Sequence, residues 1–416
     1  MSRDETSSAN PARHLPLKPP GGGISLLDGI RILDLTTSIA GPYATMLLSD
    51  MGAEIIKIER PGRGDDSRHW GPPFLDGKSL WHASVNRNKL SVELDYRTPQ
   101  GRAVLEDLVQ VCDAVVTNQL PDLRVKLKTD HETLKRLKPS LVYVSLTGFG
   151  TTGERSARPC YDIIAEGYSG VMEVTGEAEN DPQKIGTPAA DLLAGHDAAM
   201  SCIAALFHAQ KTGHGHYVDV SMVDSMTRFM IPRATVYLGS GEVPKRTGAK
   251  DSVIAVYQAF HTSDEMLTLA LPNDAIWQRF WDVVGDPDYA KAQRFATNAD
   301  RHAARPEIVP RVQEILLGRS RDEWLGLFAE KAIPAGPINM VDKVTQDQEL
   351  IRRGVFFSVG TNGEPVPQVG FGIQVDGQDA SYRSAPPELG EHTEHVLDRI
   401  LGYDADRIAA LLESSR

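Results

Sequence analysis

The chain lacks the features that mark several common protein classes. Its 416 residues include three cysteines, too few for a disulfide framework, and two of them lie in or beside apolar runs where free thiols usually pack. A formal net charge of −12 and a pI near 5.5 leave no basic surplus for nucleic acid. No run reaches the apolar length of a membrane span, and no leader-like segment opens the chain. The sequence therefore predicts a cytoplasmic protein with no nucleic-acid or membrane partner.

Nucleotide-binding and metal-binding motifs are also missing. The turn at 36–42, after the first predicted strand, holds one glycine where a dinucleotide fingerprint needs three. The glycine run at 21–23 is not followed by Gly-Lys-Ser or Gly-Lys-Thr, so it is not a P-loop. His208, His214 and His216 are spaced in a way that does not match a zinc-binding face. The sequence therefore predicts no metal site.

What the chain does contain is an alternation of apolar runs and amphipathic stretches. Residues 26–35 predict a turn and a buried strand, 43–51 a helix and 53–60 a second buried strand, which together form a βαβ unit. The alternation continues with extended segments at 90–94, 114–117, 141–146 and 215–221 and helices at 100–111, 131–137 and 192–210. This order predicts an α/β fold with a doubly wound, Rossmann-like parallel sheet, which binds ligands at the carboxyl ends of its strands.

Composition and pattern also divide the chain into segments. Residues 1–25, rich in Ser, Asn and Pro, predict a flexible tail. Residues 26–222 predict a large domain, and residues 223–247 a linker. Residues 248–345 predict a smaller inserted α+β domain, and residues 346–384 a second linker that returns to the large domain.

One carboxylate stands at the start of the longest predicted helix. Asp191 ends the run Gly-Thr-Pro-Ala-Ala-Asp, and apolar residues follow it at helical spacing. An aspartate at this place is typical of an N-cap, whose oxygens accept backbone N–H groups. A carboxylate there is also suited to act as a nucleophile toward an acyl group. This segment alone leaves both interpretations open.

Six further segments occur in a characteristic order. They are 34–36 (Asp-Leu-Thr), 40–42 (Ala-Gly-Pro), 52–61 (Gly-Ala-Glu-Ile-Ile-Lys-Ile-Glu-Arg-Pro), 62–66 (Gly-Arg-Gly-Asp-Asp), 86–89 (Asn-Arg-Asn-Lys) and 145–150 (Ser-Leu-Thr-Gly-Phe-Gly). Together with Asp191 and its helix, they resemble the class III CoA-transferases, the family of formyl-CoA transferase and carnitine CoA-transferase, over residues 26–416. The branch that the chain resembles most is that of the succinyl-CoA:dicarboxylate CoA-transferases. The family's nucleophilic aspartate falls on Asp191.

The resemblance implies a reaction and an assembly. CoA would pass from an acyl-CoA thioester, expected to be succinyl-CoA or another dicarboxylyl-CoA, to a carboxylic acid through a mixed anhydride and an aspartyl-CoA thioester on Asp191. Backbone N–H groups at a helix N-terminus would stabilise the oxyanions. No tightly bound cofactor is expected, because the CoA thioester is a substrate. The resemblance further implies that residues 385–416 complete the large domain and that two chains form an interlinked homodimer.

The resemblance also assigns a CoA site. Ser38 and Ile39, in the first strand-to-helix turn, would provide backbone contacts, and Arg60 would meet the nucleotide end of CoA. Lys126 stands near a family arginine and would contact phosphate as a point charge. The other predicted CoA contacts are Leu94, Asp95, Tyr96, Arg97, Asn118, Gln119, Leu120 and Tyr161.

Three residues are predicted to contact the acyl groups. Tyr161 and Asp162 would line the acyl pocket, and Arg87 would pair with the distal carboxylate of a dicarboxylic acid. The related α-methylacyl-CoA racemases carry a histidine where this chain has Tyr161, and a phenol is a poor base at neutral pH. CoA transfer is therefore favoured. The alternatives are an α-methylacyl-CoA racemase or acyl-CoA isomerase and a catalytically silent CoA-binding homologue.

Overall fold

The structure, a computed structural model, describes residues 11–360, 365–380 and 382–414. Its strands are β1 (Arg31–Leu35), β2 (Glu54–Glu59), β3 (Phe74–Leu75), β4 (Lys78–Ser79), β5 (Lys89–Glu93), β6 (Ala114–Thr117), β7 (Val142–Thr147), β8 (Tyr217–Ser221), β9 (Tyr257–His261), β10 (Met266–Ala270), β11 (Ala335–Pro337), β12 (Phe356–Val359) and β13 (Val366–Val369).

The helices follow the same chain order. They are α1 (Ala40–Asp50), α2 (Leu80–Ser84), α3 (Pro99–Val111), α4 (Pro121–Leu127), α5 (His131–Leu137), α6 (Asp162–Ser169), α7 (Val171–Val174), α8 (Ala189–Thr212), α9 (Met222–Phe229), α10 (Ile231–Ser240), α11 (Asp274–Val283), α12 (Pro287–Lys291), α13 (Asn298–Ala303), α14 (Arg305–Leu316), α15 (Arg321–Glu330), α16 (Val341–Val344), α17 (Gln348–Arg352), α18 (Thr393–His395) and α19 (Ala405–Ser414). Short 3₁₀ turns lie at Pro11–His14, Asp66–His69 and Gln293–Phe295, and a π-helical turn at Val396–Ile400.

Six strands form one parallel sheet in the order β5-β2-β1-β6-β7-β8. The strands are short apolar runs, as expected for strands covered on both faces, and Ile32, Leu33, Ile55 and Val115 are fully buried in them. The predicted α/β fold with a parallel sheet is therefore confirmed. Chain order reverses at β1, because β2 and β5 lie on one side of it and β6 to β8 on the other. A ligand crevice is expected outside the carboxyl ends of β1 and β6.

Helix α8 packs against α1 over a row of small residues. A Cβ at Gly195 would lie 2.8 Å from both the Ala40 carbonyl oxygen and the Tyr43 ring, so only glycine allows this approach. Ala194, Ala198 and Cys202 of α8 are buried. Within the described residues, α8 meets the length and composition of a helix that could cross a membrane. The sequence predicts no such run. Because α8 packs within a protein core, this is weak evidence for a span.

The described residues divide into two compact units. One lies within Met1–Val171, Ile185–Ala234 and Thr345–Arg416 and contains the parallel sheet. Val396 and Leu397, near the end of the chain, belong to the same apolar core as Leu33 and Ile56 of that sheet.

The other unit comprises Met172–Lys184 and Thr235–Val344. Its antiparallel sheet has the order β11-β10-β9, and its core is built from aromatic residues, which include Trp277, Phe280, Trp281, Phe295 and Phe328. Two features differ from the predicted segments. The unit takes in Met172–Lys184, and the predicted linker 223–247 is largely helical, because α9 and α10 occupy it.

The predicted flexible tail is corrected in its second part, while residues 1–10 lie outside the described residues. The Gly21 N–H donates to the Tyr382 carbonyl (2.6 Å), and the Ile24 N–H donates to that of Asp379 (3.0 Å). These bonds hold the segment against a part of the chain more than 350 positions away. Its polar composition carries no information about such partners.

Candidate active site

Asp191 lies in the first turn of α8, but it does not cap the helix. The helix begins at Ala189, and the residue at its N-cap, Pro188, makes no side-chain bond to it. The capping carboxylate is Asp162, whose Oδ1 accepts the N–H of Ala190 (2.8 Å) and, at 3.4 Å, that of Asp191. The N-cap interpretation of Asp191 is therefore wrong.

The carboxylate of Asp191 stands apart from hydrogen-bond donors. Among the described residues no donor contacts its oxygens, and the charged group that acts on its pKa is Asp162. Burial, and then the like charge of Asp162, raise the pKa of Asp191 from 3.8 to about 7. A carboxylate with this pKa is more basic, and a better nucleophile, than an ordinary aspartate.

The N–H groups at the start of α8 are already bonded within the protein. Those of Ala190 and Asp191 donate to Asp162, and those of Ala189 and Leu192 donate to the carbonyls of Thr187 and Pro188. Because these N–H groups are occupied, the expectation that a helix start supplies oxyanion donors is wrong for α8. Asp162, which is predicted to line the acyl pocket, makes a different contact in the structure. It joins the start of α6 to the start of α8.

Cys160 and Tyr161 precede the start of α6. Burial, followed by the charge of Asp191, raises the pKa of the Cys160 thiol to about 11, so the thiol remains protonated at neutral pH. A Cβ at Gly148 would overlap the Cβ of Cys160, which makes glycine necessary at that position. Tyr161 is 65% exposed and therefore open to a ligand.

The predicted CoA turn lies at the crevice between β1 and β6. Asn118, just after β6, holds the turn by accepting the Thr37 N–H (3.0 Å) and donating to the Thr37 carbonyl (2.8 Å). Ile39 shares an apolar cluster with Leu192, the neighbour of Asp191 in the chain. The fold thus brings the first turn and the start of α8 together.

Tyr96 and Gln119 also meet, although 23 residues separate them. The Gln119 Nε2 donates to the Tyr96 hydroxyl (2.7 Å), and its Oε1 accepts from Thr129 (3.1 Å). Asp95 and Arg97 pair with each other at the surface (2.8 Å).

The remaining predicted CoA residues differ in accessibility. Arg60 pairs with Asp66 (2.6 Å) at the surface, where an ion pair contributes less than about 1 kcal/mol, so a phosphate can compete for it. Leu120 and Lys126 are exposed, at the start and near the end of α4. The prediction for Leu94 is corrected, because the residue is buried in the core of the sheet and its N–H donates to the Glu59 carbonyl (3.0 Å).

Arg87 is also corrected. Its guanidinium is buried and forms a bidentate ion pair with Asp50, with Nε–Oδ1 at 2.9 Å and Nη2–Oδ2 at 2.5 Å. The Nη1 donates to Gln368 (3.2 Å) and to the Val369 carbonyl (2.9 Å). A guanidinium with these partners is not available to a substrate carboxylate.

A buried network of charges on β1, β2, β5 and the loop after β2 was missed by the sequence reasoning. Its ion pairs are Lys89 with Asp34 (3.1 Å), Lys57 with Asp65 (3.0 Å) and Arg68 with Glu59 (2.6 Å). Burial alone would raise the pKa of Asp34, but Lys89 and Lys57 hold it at about 2. A signal existed for two of these residues, because Asp34 and Lys57 each interrupt a run of mostly apolar strand residues, whereas Lys89 follows three polar residues.

Fold and site together define a doubly wound α/β protein with a basic carboxylate, unpartnered among the described residues, near the crevice of its sheet. Residues 27–393 match the family described as CoA-transferase family III. The mouse (Mus musculus) succinyl-CoA:glutarate CoA-transferase is 36% identical over 395 residues, which cover 93% of this chain and 89% of the mouse protein. The succinate–glutarate CoA-transferase of Agrobacterium fabrum is 36% identical over 387 residues, with coverage of 91% and 95%.

Solved structures agree with this match. The crystal structure of a CAIB/BAIF family protein from Brucella suis has a TM-score of 0.80 to this chain at 35% identity, covering 91% of this chain and all of that one. The chain belongs to CoA-transferase family III, which confirms the resemblance drawn from its motifs. It is a CoA-transferase, and CoA thioesters are its substrates.

Proposed function

We propose that the protein transfers CoA from succinyl-CoA, or another dicarboxylyl-CoA, to a dicarboxylic acid, with Asp191 as the nucleophile. The observation that carries the proposal is the carboxylate of Asp191, which has a pKa of about 7 and no hydrogen-bond donor among the described residues. The names of the relatives pair succinate with glutarate, and both are dicarboxylic acids.

Four acyl transfers at three carbonyl carbons give a balanced reaction. An Asp191 oxygen attacks the thioester carbon of the donor, the C–S bond breaks, and CoA leaves as the thiolate. The thiolate attacks Cγ of Asp191 in the resulting mixed anhydride and expels the donor acid as its carboxylate. The acceptor carboxylate attacks Cγ of the aspartyl-CoA thioester and releases the thiolate. The thiolate then attacks the acceptor's acyl carbon, which forms the new thioester and restores Asp191.

Asp162 supports this chemistry in two ways. Because it accepts the first-turn N–H groups of α8, it keeps those donors from the carboxylate of Asp191. Hydrogen bonds to the ionised form would lower the pKa of Asp191 and its nucleophilicity. The negative charge of Asp162 acts in the same direction, since it disfavours the ionised form of its neighbour.

Trapping of the covalent intermediate tests the role of Asp191. Incubation with succinyl-CoA followed by hydroxylamine should modify the peptide that contains Asp191, because both intermediates, the anhydride and the thioester, are activated acyl derivatives of its carboxylate. Asp191→Asn should lower transfer by at least about a thousandfold. Asp197→Asn is the matched control on the same helix, because Asp197 is paired with Ser225 (2.6 Å) and Arg228. Modification of another residue would refute the assignment.

A panel of CoA donors and acceptor acids, read by mass for new thioesters, tests the substrate class. Transfer to glutarate-sized diacids and not to monocarboxylic acids of equal length is expected. The racemase alternative predicts instead the exchange of an α-proton in deuterated water without any acceptor acid. Binding of CoA without turnover for every pair would support a silent homologue.

We further propose that the protein forms a homodimer through α10 and its neighbours. Within the described residues, α10 buries none of its side chains in the chain itself. Its exposed apolar residues include Ile231, Val236, Tyr237 and Leu238, the last of which is 81% exposed. A row of this kind is typical of a surface covered by another chain. Light scattering should give the mass of a dimer for the wild type, and Leu238→Glu should lower it; a monomeric wild type would refute the proposal.

A further inference from the structure

The turn between β1 and α1 is held by side chains that bond five of its polar backbone atoms. Asp34 accepts the Thr36 N–H (2.9 Å), and the Lys57 Nζ donates to the Thr36 carbonyl (2.8 Å). The amide of Asn118 bonds both polar atoms of Thr37. The next N–H in the turn, that of Ser38, donates to Oδ1 of Asp65 (3.0 Å).

Ser38 needs this support because its backbone is strained. Its φ is +71°, in the left-handed region that side-chain-bearing residues rarely adopt. Such a conformation persists only where the surroundings enforce it, and it is common at functional sites. The hydrogen bond from the Ser38 N–H to a charged acceptor directly holds the backbone at this positive φ.

Asp65 is fixed by groups on three sides. Its Oδ1 also accepts the Ser67 N–H (2.9 Å), its Oδ2 lies 3.0 Å from the Lys57 Nζ, and its own N–H donates to Glu59 (2.9 Å). The side chains of Asp65 and Lys57 are both fully buried. Burial would raise the pKa of Asp65, but Lys57, followed by the N–H groups of Ser38 and Ser67, lowers it below its ordinary range, so Asp65 is a charged acceptor.

Asp65 also belongs to the loop that carries Arg60. This loop leaves the end of β2 and returns through the short helix Asp66–His69, while Arg60 and Arg63 on its outer side pair with Asp66. One side chain thus ties the turn of Ser38 and Ile39 to the loop of Arg60. Both segments are proposed CoA contacts.

We propose that Asp65, held by Lys57, is a positioning residue that keeps these two segments in the conformation that binds CoA. The inference rests on the proposed CoA-binding role of the turn. The buried ion pair of Asp65 and Lys57 thus affects the affinity for CoA and has little effect on the chemical step at Asp191. An interaction remote from the reacting carbonyl changes KM more than kcat.

The test compares Asp65→Asn with Asp50→Asn. Asp50 is an equally buried carboxylate, but among the described residues its partners are Arg87 and Asn88 and it does not contact the turn. Asp65→Asn should raise the Kd for CoA and the KM for succinyl-CoA about tenfold, the effect of weakening one hydrogen bond to a charged group. The KM for the acceptor acid and kcat should change less than about threefold. Asp50→Asn should leave the Kd for CoA unchanged even where it lowers the melting temperature.

A second substitution separates positioning from loss of stability. Ser38→Gly in the Asp65→Asn background should restore most of the affinity for CoA, because glycine adopts a positive φ without strain. It should not restore the melting temperature, since the buried charge of Lys57 stays unpaired by Asp65. If Asp65→Asn does not fold, Ser38→Pro provides the same test from the other side, because it removes the donor and forbids the positive φ while the buried ion pair stays intact.

Three outcomes would overturn the inference. They are an equal change in the Kd for CoA in Asp65→Asn and Asp50→Asn, a failure of Ser38→Gly to restore affinity, and normal affinity in a folded Ser38→Pro variant. The Kd is measured by calorimetry with CoA alone and needs no turnover. A wild type that binds CoA but transfers none from succinyl-CoA would therefore refute the proposed function without deciding the role of Asp65.

Discussion

At the scale of single residues, three fully buried aspartates pair with cations, whereas the partly buried carboxylate of Asp191 has no cationic partner among the described residues. Asp34, Asp50 and Asp65 each contact a buried lysine or arginine. Asp191 has only another carboxylate, Asp162, as a charged neighbour among the described residues. An unpaired, partly buried carboxylate costs stability, and it also gains the basicity that attack on a thioester requires.

The first prediction is that Asp191→Asn stabilises the protein at pH 8. The folded-state pKa of about 7 lies above the ordinary 3.8, so ionisation of Asp191 costs stability progressively as the pH rises from about 4 through 7. Thermal unfolding should therefore show a higher melting temperature for Asp191→Asn than for the wild type at pH 8, and little difference at pH 4. Asp197→Asn should instead lower it, because it weakens a salt bridge. A destabilised Asp191→Asn at pH 8 would contradict the assigned pKa.

The second prediction concerns the pH dependence of the rate. Only the ionised form of Asp191 attacks, so kcat/KM for the acyl-CoA should rise with pH up to about 7 and then level off. Asp162→Asn removes the like charge and should move the midpoint to lower pH. Initial rates between about pH 5.5 and 8.5 measure both curves. An unchanged midpoint in Asp162→Asn would mean that another group controls the profile.

At the scale of elements, the start of α8 is set by its packing on α1. Small residues let the two helices approach, and Gly195 lies at the closest point, against the Ala40 carbonyl. Leu192 and Ile39 join the same elements through an apolar cluster. The distance between the nucleophile and the first turn therefore depends on a helix contact and not on a loop.

The third prediction is that Gly195→Ala pushes α1 and α8 apart. The added Cβ would lie 2.8 Å from a backbone oxygen, which cannot turn aside as the end of a flexible side chain can, so a loss of about 1–3 kcal/mol in the free energy of unfolding is expected. Transfer activity should also fall, because the start of α8 shifts relative to the first turn. Gly186→Ala is the control, since a Cβ there meets no atom within 4 Å. Denaturant unfolding and initial rates measure the two effects.

At the scale of the whole molecule, segments far apart in the chain close the unit that contains the parallel sheet. Arg87, which pairs with the end of α1, also bonds two residues of β13 that follow it in the chain by 281 and 282 positions. Val396 and Leu397 belong to the same apolar core as residues of β1 and β2. The residues around 11–25 add backbone bonds to the same returning segment.

The fourth prediction is that Arg87→Met destabilises this unit and leaves acceptor preference unchanged. Removal of one partner from a buried ion pair typically costs about 3–5 kcal/mol, because the other charge, here Asp50, stays buried. The double variant Arg87→Met/Asp50→Asn should recover part of the loss, as denaturant unfolding would show. A shift from dicarboxylic to monocarboxylic acceptors in Arg87→Met would restore the role first predicted from the sequence.

The sequence by itself determined the family, the alternation of strands and helices and the candidate nucleophile. Apolar runs and helical spacing are local properties, so they located β6 and α5 with the bounds seen in the structure. The motifs placed Asp191 at the start of a helix, where it lies.

Only the tertiary structure decided how the polar residues are used. Asp162 caps a helix that begins about 28 positions further along the chain, and Arg87 is bonded to Asp50 and β13. Asp65 accepts the N–H of Ser38 and so supports the turn. Burial and hydrogen-bond partners come from contacts between distant parts of the chain, so a residue type and its local pattern do not reveal them. In a sequence, an arginine that binds a substrate cannot be distinguished from one that forms an internal ion pair, because the partners of each become neighbours only in the folded chain.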